Sequence, residues 1–513
     1  MFLMLYLHLI LLRNSLNIIS TFVFFAISFN ILRMIKIKYK KLIYIVFTLG
    51  ICISLFLYVI LRAYYLSFTC DESLSYFIFK EGIRLNSANH HILNTFLMGV
   101  SCNLFGDSEL ALRLPNVLSF GLYLFGCFLI LKKSRNKWFV IIGGSLLLFN
   151  PILIEFFALA RGYGLSLGFV IISLFFLLKR NFVYLSYKLL IEDFIFSMIF
   201  ALPAIYANLS TINYYIAILL IFTIQYFFLL KKNPTKDFKI HFGFIGFVLA
   251  SVIPLYFCVK RLLLLNELSE LFFGTDSLIS SIDSLIYYSL YFSEYPSWIF
   301  VAIKLGVIVS LPLGFVLILI KKSISLKFLK IYSLIIILII GVVFEHYLFN
   351  SKYPYGRTAF IFIPIFSFFV YYFLDSFIQI FKTQLQSYSQ IIISIIVFSM
   401  LIFHFSSNLG LKYSKTWTYD SHNKDIMEII DELTHNEKTN KTISNNWIFE
   451  SSINYYIDSK SIKLNLTNIN GVDSTTDFVY GFTDSLNLKN YQTLIKYEDI
   501  GTSLYIKTKN SNK

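Results

Sequence analysis

The sequence predicts an all-α polytopic membrane protein of about eleven transmembrane helices, followed by a small C-terminal α/β domain. Of the 513 residues, 57% are hydrophobic and only 14% are charged, whereas soluble domains carry about 45–50% apolar and about 25% charged residues. Apolar runs long enough to cross a bilayer recur along residues 1–408, and residues 409–513 lose this character. The composition excludes a wholly water-soluble protein, a disordered chain and a small disulfide scaffold.

Eleven segments meet the length of about 20 residues that crosses roughly 30 Å of hydrocarbon. They lie near 42–62, 112–131, 138–157, 162–179, 189–208, 211–230, 240–258, 298–320, 329–349, 357–374 and 389–408. Clusters of Lys and Arg fall on alternate connections, at 36–41, 132–137, 179–188, 231–239 and 321–330. Positive loops mark the cytoplasmic face, so we expect a cytoplasmic N-terminus and an extracytoplasmic C-terminal domain.

The net charge of +15 belongs to the membrane part, because residues 409–513 carry 12 basic and 13 acidic side chains. Cytoplasmic loops explain this surplus, and it does not indicate a nucleic-acid partner. The five cysteines show no pairing pattern or metal spacing. They are Cys52, Cys70, Cys102, Cys127 and Cys258.

The two ends of the chain need separate interpretation. Residues 1–33 are either an N-terminal extension upstream of an ordinary start at Met34 or an extra span, and no small-residue cleavage site follows them. Residues 34–408 form the predicted membrane domain. In residues 409–513, KDIMEIIDELTHN has helical spacing, whereas KTISNNWIF, DFVYGF and TSLYIKTK are typical of strands.

The outer loop at 63–111 is the densest polar region of the membrane part. Asp71 and Glu72 follow the first span directly. A carboxylate at the membrane interface is partly desolvated, so its pKa can be raised and it can act as a general base. The alternative is that the pair caps a helix, with Ser73 after it.

The segment NHHILNT places His90, His91 and Asn94 within one helical turn. If the segment is helical, His90 and Asn94 are i, i+4 neighbours that can bind a metal, a phosphate or a sugar hydroxyl. The alternative is simple interfacial polarity.

Three arginines lie at the outer ends of predicted spans, against the positive-inside trend. They are Arg113, Arg161 and Arg357. A phosphate at that face gives them a function, because guanidinium pairs bidentately with phosphate oxygens. Each could instead be a snorkelling interface residue. Glu155, six residues before Arg161, could hold that arginine or contact an acceptor.

The order of these motifs resembles the bacterial branch of the glycosyltransferase C superfamily, near the dolichyl-phosphate-mannose-protein mannosyltransferase and aminoarabinose-transferase families. The matching segments are the acidic pair after the first span, the HILNT segment, FGDSELALRLPN, NPILIEFFALARGYGL and YPYGRTAF. They cover roughly residues 42–375. One departure is Leu159, where many relatives carry an acid; Glu155 could compensate.

The resemblance implies an inverting transferase that takes a sugar from a polyprenyl-phosphate donor. By position, Asp71 matches the catalytic acid of the family and Glu72 its partner. Arg161 and Arg357 would hold the departing phosphate, and Arg113 would pin the loop to the helices. The remaining candidate substrate-binding residues are His90, His91, Asn94, Glu155, Tyr163 and Tyr355.

The resemblance further implies the bacterial cytoplasmic membrane as location, membrane lipids as surroundings, and a glycan, lipid or protein as acceptor. We expect no required cofactor, although the adjacent acids and histidines allow a divalent cation. A lipid-linked-saccharide flippase or transporter is the alternative function. Transporters usually show repeats and midplane charges, whereas the polar residues here gather at one face. A polysaccharide polymerase or ligase is a further alternative, and its polar residues would concentrate in a late outer loop.

Overall fold

The structure, a computed structural model, describes residues 37–132, 134, 136–180, 186–320, 325–380, 383–468, 475–483 and 490–508. The N-terminal segment 1–33 therefore lies outside the described residues. The chain divides after Tyr58 into two compact units. The described part of the first unit is the beginning of helix α1, and everything discussed below lies in the second unit.

The described residues are mainly helical. The helices are α1 (Ile37–Tyr65), α2 (Cys70–Glu81), α3 (Ile92–Phe105), α4 (Glu109–Leu131), α5 (Lys137–Leu148), α6 (Pro151–Glu155), α7 (Tyr163–Leu178), α8 (Tyr187–Ala207), α9 (Ile212–Lys232), α10 (Phe238–Glu267), α11 (Leu278–Ser289), α12 (Ser297–Ile320), α13 (Leu326–Phe349), α14 (Phe362–Ile378), α15 (Thr383–Ser407), α16 (Asn423–Thr434) and α17 (Glu450–Ser459). Short 3₁₀ turns follow α6, precede α9 and α14, and occur at Thr418–Asp420 and Trp447–Phe449.

All eleven predicted spans coincide with helices, which confirms a multi-pass α-helical membrane protein. Eight helices in the described residues are long and apolar enough to cross a bilayer, or nine spans if one bent pair is counted. That pair, Lys137–Leu148 and Pro151–Ala158, bends by 55° where Pro151 starts a new helix. The other two predicted spans, α7 and α14, have 16 and 17 residues and cover only about 25 Å at 1.5 Å per residue.

The predicted outer loop 63–111 is itself largely helical, since it contains α2 and α3. Helix α2 begins because the Thr69 side chain accepts from the Glu72 N–H while the Glu72 carboxylate accepts from the Thr69 N–H, a reciprocal capping box. It ends at Gly82, whose φ of 68° is left-handed. Asp71 is therefore the second residue of the helix, and the predicted capping role falls to Thr69 instead.

The C-terminal region forms a five-stranded sheet with helices α16 and α17. Its strands are β1 (Lys441–Asn445), β2 (Leu464–Asn468), β3 (Phe478–Phe482), β4 (Tyr491–Tyr497) and β5 (Thr502–Lys507). The strand order is β2-β1-β3-β5-β4. β1 pairs in parallel with β2 and β3, whereas β5 is antiparallel to both of its neighbours. The amphipathic pattern predicted α16 correctly, and its apolar face buries Ile426, Met427 and Ile430.

One hydrophobic core joins this C-terminal region to the outer helices. Phe68, two residues before α2, and Tyr76, within α2, are buried in the same cluster as Ile453 and Tyr455. The rings of Phe68 and Tyr455 stack at 4.0 Å. The segment that leads from α15 to α16 consequently runs past the start of α2, where Asp71 lies.

Candidate active site

The Asp71 carboxylate receives hydrogen bonds from residues that are distant in the chain. Arg357 donates from Nη1 to Oδ2 at 2.7 Å, and the indole Nε1 of Trp417 donates to the same oxygen at 3.2 Å. A second guanidinium, that of Arg161, has its Nη2 at 3.6 Å from Oδ2. Asp71 is only 8% exposed, so two cations surround a largely desolvated carboxylate.

These neighbours reverse the expected direction of the Asp71 pKa. Burial by itself raises the pKa of this carboxyl, but the charges of Arg161 and Arg357 and the Trp417 hydrogen bond outweigh burial and hold the pKa below its usual range. The sequence allowed a raised pKa for this partly desolvated carboxylate, and the structure gives the opposite direction. Asp71 is fully ionised at neutral pH.

Arg161 is completely buried and is held by the α2 region. Its Nη1 donates to the backbone carbonyl of Asp71 at 3.0 Å and to Ser75 Oγ at 3.1 Å, and its Nη2 donates to Asn89 Oδ1 at 3.1 Å. The next residue, Gly162, passes so close to α8 that a Cβ there would lie 1.9 Å from that helix's last carbonyl oxygen. Only glycine lets the chain place Arg161 here.

Arg357 lies between two aromatic rings. Its guanidinium carbon is 5.2 Å from the ring centroid of Phe273 and 5.2 Å from that of Trp417. The preceding Gly356 has a φ of 53° and packs against the ring of Tyr288, 2.5 Å from where a Cβ would be. The cation–π contacts and this tight turn fix the guanidinium toward Asp71.

Glu72 faces away from Asp71 and forms a buried ion pair with Arg113. Its two carboxylate oxygens accept from Nε and Nη2 of Arg113, both at 2.8 Å. Arg113 also donates to the carbonyl oxygens of Ala63, Leu66 and Ser67. Arg113 therefore ties the start of α2 to the end of α1. The contacts of Glu72 are those of a structural anchor and not of a partner for Asp71.

The structure separates the residues of the NHHILNT segment. Because α3 begins at Ile92, His90 and Asn94 do not share a helical face, and the expectation of i, i+4 neighbours is wrong. Asn94 donates to the Ala160 carbonyl at 2.9 Å and accepts from Asn116 at 2.7 Å. It therefore supports the backbone immediately before Arg161.

Glu155 does not hold Arg161, contrary to expectation. It is buried and pairs with Arg62, whose Nη2 donates to Oε2 at 2.7 Å. Tyr291 also donates to Oε2, while Ser414 and Thr416 donate to Oε1 at 2.7 and 2.8 Å. Glu155 thus anchors the segment that leads to Trp417, and both of its carboxylate oxygens accept hydrogen bonds from within the protein.

A cavity of about 540 Å³ opens beside His90 and His91. Its wall is mostly apolar and includes Ile205, Tyr206, Phe257 and Leu264. The end of α10 contributes two cations, Lys260 and Arg261, and one acid, Glu267. Arg261 donates to the His90 carbonyl at 3.2 Å.

His91 connects the cavity to the Asp71 cluster. It lines the cavity, and its ring meets that of Tyr163 edge-on at 5.1 Å. Burial and the positive charges of Arg161 and Arg357 lower the pKa of His91 well below its usual range. His91 is therefore neutral, and the positive charge at this point comes from the arginines alone.

The two candidate tyrosines, Tyr163 and Tyr355, differ in burial and in the rings that they contact. Tyr163 is buried against Phe156, with 4.8 Å between the ring centroids, and its ring also contacts that of His91. Tyr355 is 39% exposed, and its ring centroid lies 6.1 Å from that of Phe273. Tyr355 is thus placed at the outer rim of the Arg357 site.

Within the described ranges, no group of three or more His, Cys, Asp or Glu side chains could hold a metal ion. The acids and histidines of the outer loop point in different directions, since Glu72 pairs with Arg113 and His90 faces the cavity. This arrangement gives no support to a divalent cation at the loop.

Sequence reasoning missed three contributors to the site: Asn89, Arg261 and Trp417. Arg261 could have been found, because it lies at the outer end of a predicted span just as Arg161 does. Asn89 directly precedes His90 and His91, the two histidines that the sequence made candidates. Nothing local distinguishes Trp417, which is 346 positions from Asp71.

A search of protein-family models finds no match to this sequence, and a search of curated proteins finds none either. Among solved structures, the crystal structure of ArnT from Cupriavidus metallidurans bound to undecaprenyl phosphate matches with a TM-score of 0.53 at 12% identity, covering 90% of this chain and 97% of that chain. The apo structure of the same ArnT covers equal shares at 13% identity, with a TM-score of 0.45. The chain therefore has an ArnT-like fold, with a small C-terminal sheet region.

Proposed function

We propose that the protein is a membrane glycosyltransferase that moves a sugar from a polyprenyl-phosphate carrier to a lipid, glycan or protein acceptor. One observation carries the proposal: an ionised carboxylate, Asp71, pairs with both Arg161 and Arg357. His91, which feels the charges of these two arginines, lines a mostly apolar cavity. The fold shared with an ArnT that binds undecaprenyl phosphate supports it.

The proposed reaction is a single displacement. The acceptor oxygen or nitrogen attacks the anomeric carbon of the donor, and the bond from that carbon to the phosphate oxygen breaks with its electron pair leaving on the phosphate. The acceptor proton passes to the Asp71 carboxylate. Attack opposite the leaving group inverts the anomeric carbon. Because phosphate is already a good leaving group, positioning and charge stabilisation supply most of the catalysis.

The arginines have two functions in this proposal. Before substrate binds, they keep Asp71 ionised. When the phosphate arrives, Arg161 and Arg357 gain a second anionic partner, and the carboxylate loses part of its stabilisation. Its pKa then rises, which makes it a stronger base at the moment it is needed.

The cavity suits the carrier lipid. A mostly apolar pocket of about 540 Å³ can receive the first isoprene units, and Arg261 and Lys260 offer positive charge to the phosphate. His91 lines the cavity and also feels the charges of Arg161 and Arg357. In the proposed pose the phosphate therefore lies at the mouth of the cavity, with Arg261 and Lys260 on its lipid side and Arg161 and Arg357 on its sugar side. The anomeric carbon, bonded to that phosphate, then faces Asp71. The charge pattern of the loops supports a site on the extracytoplasmic face of the bacterial cytoplasmic membrane, with residues 34–408 as the membrane domain and 409–513 as an extracytoplasmic domain. No step in this reaction requires a divalent cation.

The test is chemical conversion by the purified full-length protein. It is added in detergent to cell-envelope membranes from cells that lack it, which hold both the donor lipid and the acceptor. We expect loss of one polyprenyl-phosphate monosaccharide and release of an equal amount of polyprenyl phosphate by mass spectrometry. A flippase would leave every lipid-linked sugar chemically intact, and that result would reject the transferase.

A further inference from the structure

The segment between α15 and α16 reaches the first turn of α2. Asp420, which is 1% exposed, accepts a hydrogen bond at Oδ2 from the backbone N–H of Cys70 at 2.8 Å. Cys70 is the first residue of α2 and precedes Asp71 directly. The N–H groups of a first helical turn have no partner within the helix, so Asp420 supplies one from another part of the chain.

The backbone that carries Asp71 is consequently fixed from two sides. On one side, the Thr69–Glu72 capping box is locked to Arg113. On the other side, Asp420 holds Cys70. Trp417, three residues before Asp420, donates directly to the carboxylate of Asp71.

Further hydrogen bonds fix Asp420 itself. Its Oδ1 accepts from Asn423 Nδ2 at 2.8 Å and lies 3.3 Å from Ser452 Oγ, which donates to the Phe68 carbonyl at 2.8 Å. Burial, reinforced by the charge of Asp71, raises the pKa of Asp420 well above its usual range. A neutral carboxyl can satisfy the same contacts by donating to Ser452, so the positioning does not depend on a negative charge.

We infer that the C-terminal region completes the active site, with Trp417 and Asp420 as positioning residues for the Asp71 carboxylate. Trp417 orients the carboxylate and lowers its basicity, and Asp420 fixes the helix start from which it projects. The inference rests on the proposed function, because it assigns these residues to the reaction of that same site.

The test uses the full-length protein and the membrane conversion assay described above. Trp417→Phe removes the N–H and keeps an aromatic ring beside Arg357. Asp420→Ala removes the acceptor for the Cys70 N–H, whereas Asp420→Asn keeps an oxygen there. The new amide nitrogen would face Asn423. Among the described residues the buried Oδ1 of Asn423 has no hydrogen-bond partner, so a flip of the Asn423 side-chain amide lets that oxygen accept from the new amide. Asp458→Asn is the matched control: Asp458 also links the C-terminal region to α2, but through Tyr76 and Lys80 near the end of that helix.

We expect kcat to fall about tenfold in Trp417→Phe, which corresponds to the loss of one hydrogen bond to a charged group. We also expect the acid limb of the pH profile to move to higher pH, because the lost hydrogen bond lowers the Asp71 pKa. We expect kcat to fall about fivefold in Asp420→Ala, the size of a lost helix cap. KM for the lipid donor and the affinity for undecaprenyl phosphate stay unchanged in both variants. Asp420→Asn and Asp458→Asn retain kcat within about twofold, since neither loses a contact that positions Asp71.

The outcomes separate the inference from the function. The inference is overturned if Trp417→Phe has a normal kcat and an unshifted pH profile while Asp71→Asn is inactive. The proposed transferase function stands in that case. Conversion by Asp71→Asn overturns Asp71 as the base, and the inference with it. Absence of conversion by the wild type overturns the proposed function itself. If Asp420→Ala does not fold, Trp417→Phe and its pH profile decide the matter.

Discussion

Nη1 of Arg357 lies 2.7 Å from Oδ2 of Asp71, although 286 positions separate the two residues in the chain. The carboxylate comes from the start of α2 and the guanidinium from the turn before α14. Their contact makes the charge of Arg357 a direct control on the basicity of Asp71. The donor phosphate, in the proposed reaction, competes for the same guanidinium.

Substituting Arg357 with alanine should therefore change the pH dependence of the reaction as well as its rate. In the wild type, the pKa of Asp71 is below its usual range, so the acid limb of kcat/KM should lie below about pH 4, the ordinary value for an aspartate. Removing one of the two cations raises that pKa, so the limb should move to higher pH in Arg357→Ala. We also expect kcat/KM at neutral pH to fall about a hundredfold, because a charge-assisted phosphate contact is lost. An unchanged limb, measured in the same membrane assay, would show that Arg357 does not act on Asp71.

Glu72→Gln should lower stability and not the chemistry of the folded enzyme. Glu72 and Arg113 are both fully buried, and breaking a buried ion pair leaves an uncompensated charge at a cost of about 3–5 kcal/mol. The measurement is the thermal unfolding midpoint in detergent. Glu192→Gln is the control, because that carboxylate is 38% exposed in its ion pairs and such pairs contribute about 0–1 kcal/mol. A normal unfolding midpoint with lost activity would instead restore Glu72 as a partner of Asp71 in catalysis.

Arg261→Ala should weaken binding of the carrier. Arg261 lines the cavity with Lys260, so its loss removes one of the two cations that the cavity offers to the phosphate. We expect the Kd for undecaprenyl phosphate to rise about tenfold. Native mass spectrometry of the full-length protein measures this affinity. Lys496→Ala, at an exposed position on β4, removes the same charge from the surface. Equal affinities in the two variants would mean that the carrier phosphate does not bind at this cavity.

Asp420→Asn should change how stability depends on pH. Burial raises the pKa of Asp420 well above its usual range. Above the ordinary aspartate pKa of about 3.9, the unfolded chain releases this proton while the folded chain retains it, so wild-type stability falls as pH rises through that window. Asparagine does not titrate. The unfolding midpoint of Asp420→Asn relative to wild type should therefore increase between about pH 4 and pH 7, and a difference that stays constant with pH would show that Asp420 is ionised in the fold.

Hydropathy predicted the membrane helices well, because each apolar segment must satisfy its backbone hydrogen bonds internally in lipid. It did not predict the 55° bend at Asn150–Pro151 or that α7 and α14 are short, since composition reports burial in lipid and not helix geometry. The loop 63–111 contains helices whose ends depend on Thr69 and Gly82. Thr69 stands two residues before Asp71, and both residue types are good N-caps, so the sequence did not decide between them.

Arg161 and Arg357 became candidates because arginines at the outer ends of spans run against the positive-inside trend. The structure brings both guanidinium groups to Asp71. Pairing between charges was harder to predict. Glu155 was matched to its near neighbour Arg161, but in the fold it pairs with Arg62, because the choice of partner depends on which helix ends meet. Trp417 comes from a segment with no pattern of its own, so only the tertiary structure reveals it.

The most direct test of the central proposal is a comparison of lipid-linked sugars in cells. A strain that lacks the protein is complemented with wild type, Asp71→Asn or the control Glu192→Gln, and its polyprenyl-phosphate monosaccharides are profiled by mass spectrometry. We expect one such lipid to accumulate with Asp71→Asn at normal expression, and to fall to the same low level with wild type and Glu192→Gln. Identical lipid profiles for wild type and Asp71→Asn would contradict a transferase in which Asp71 is the base.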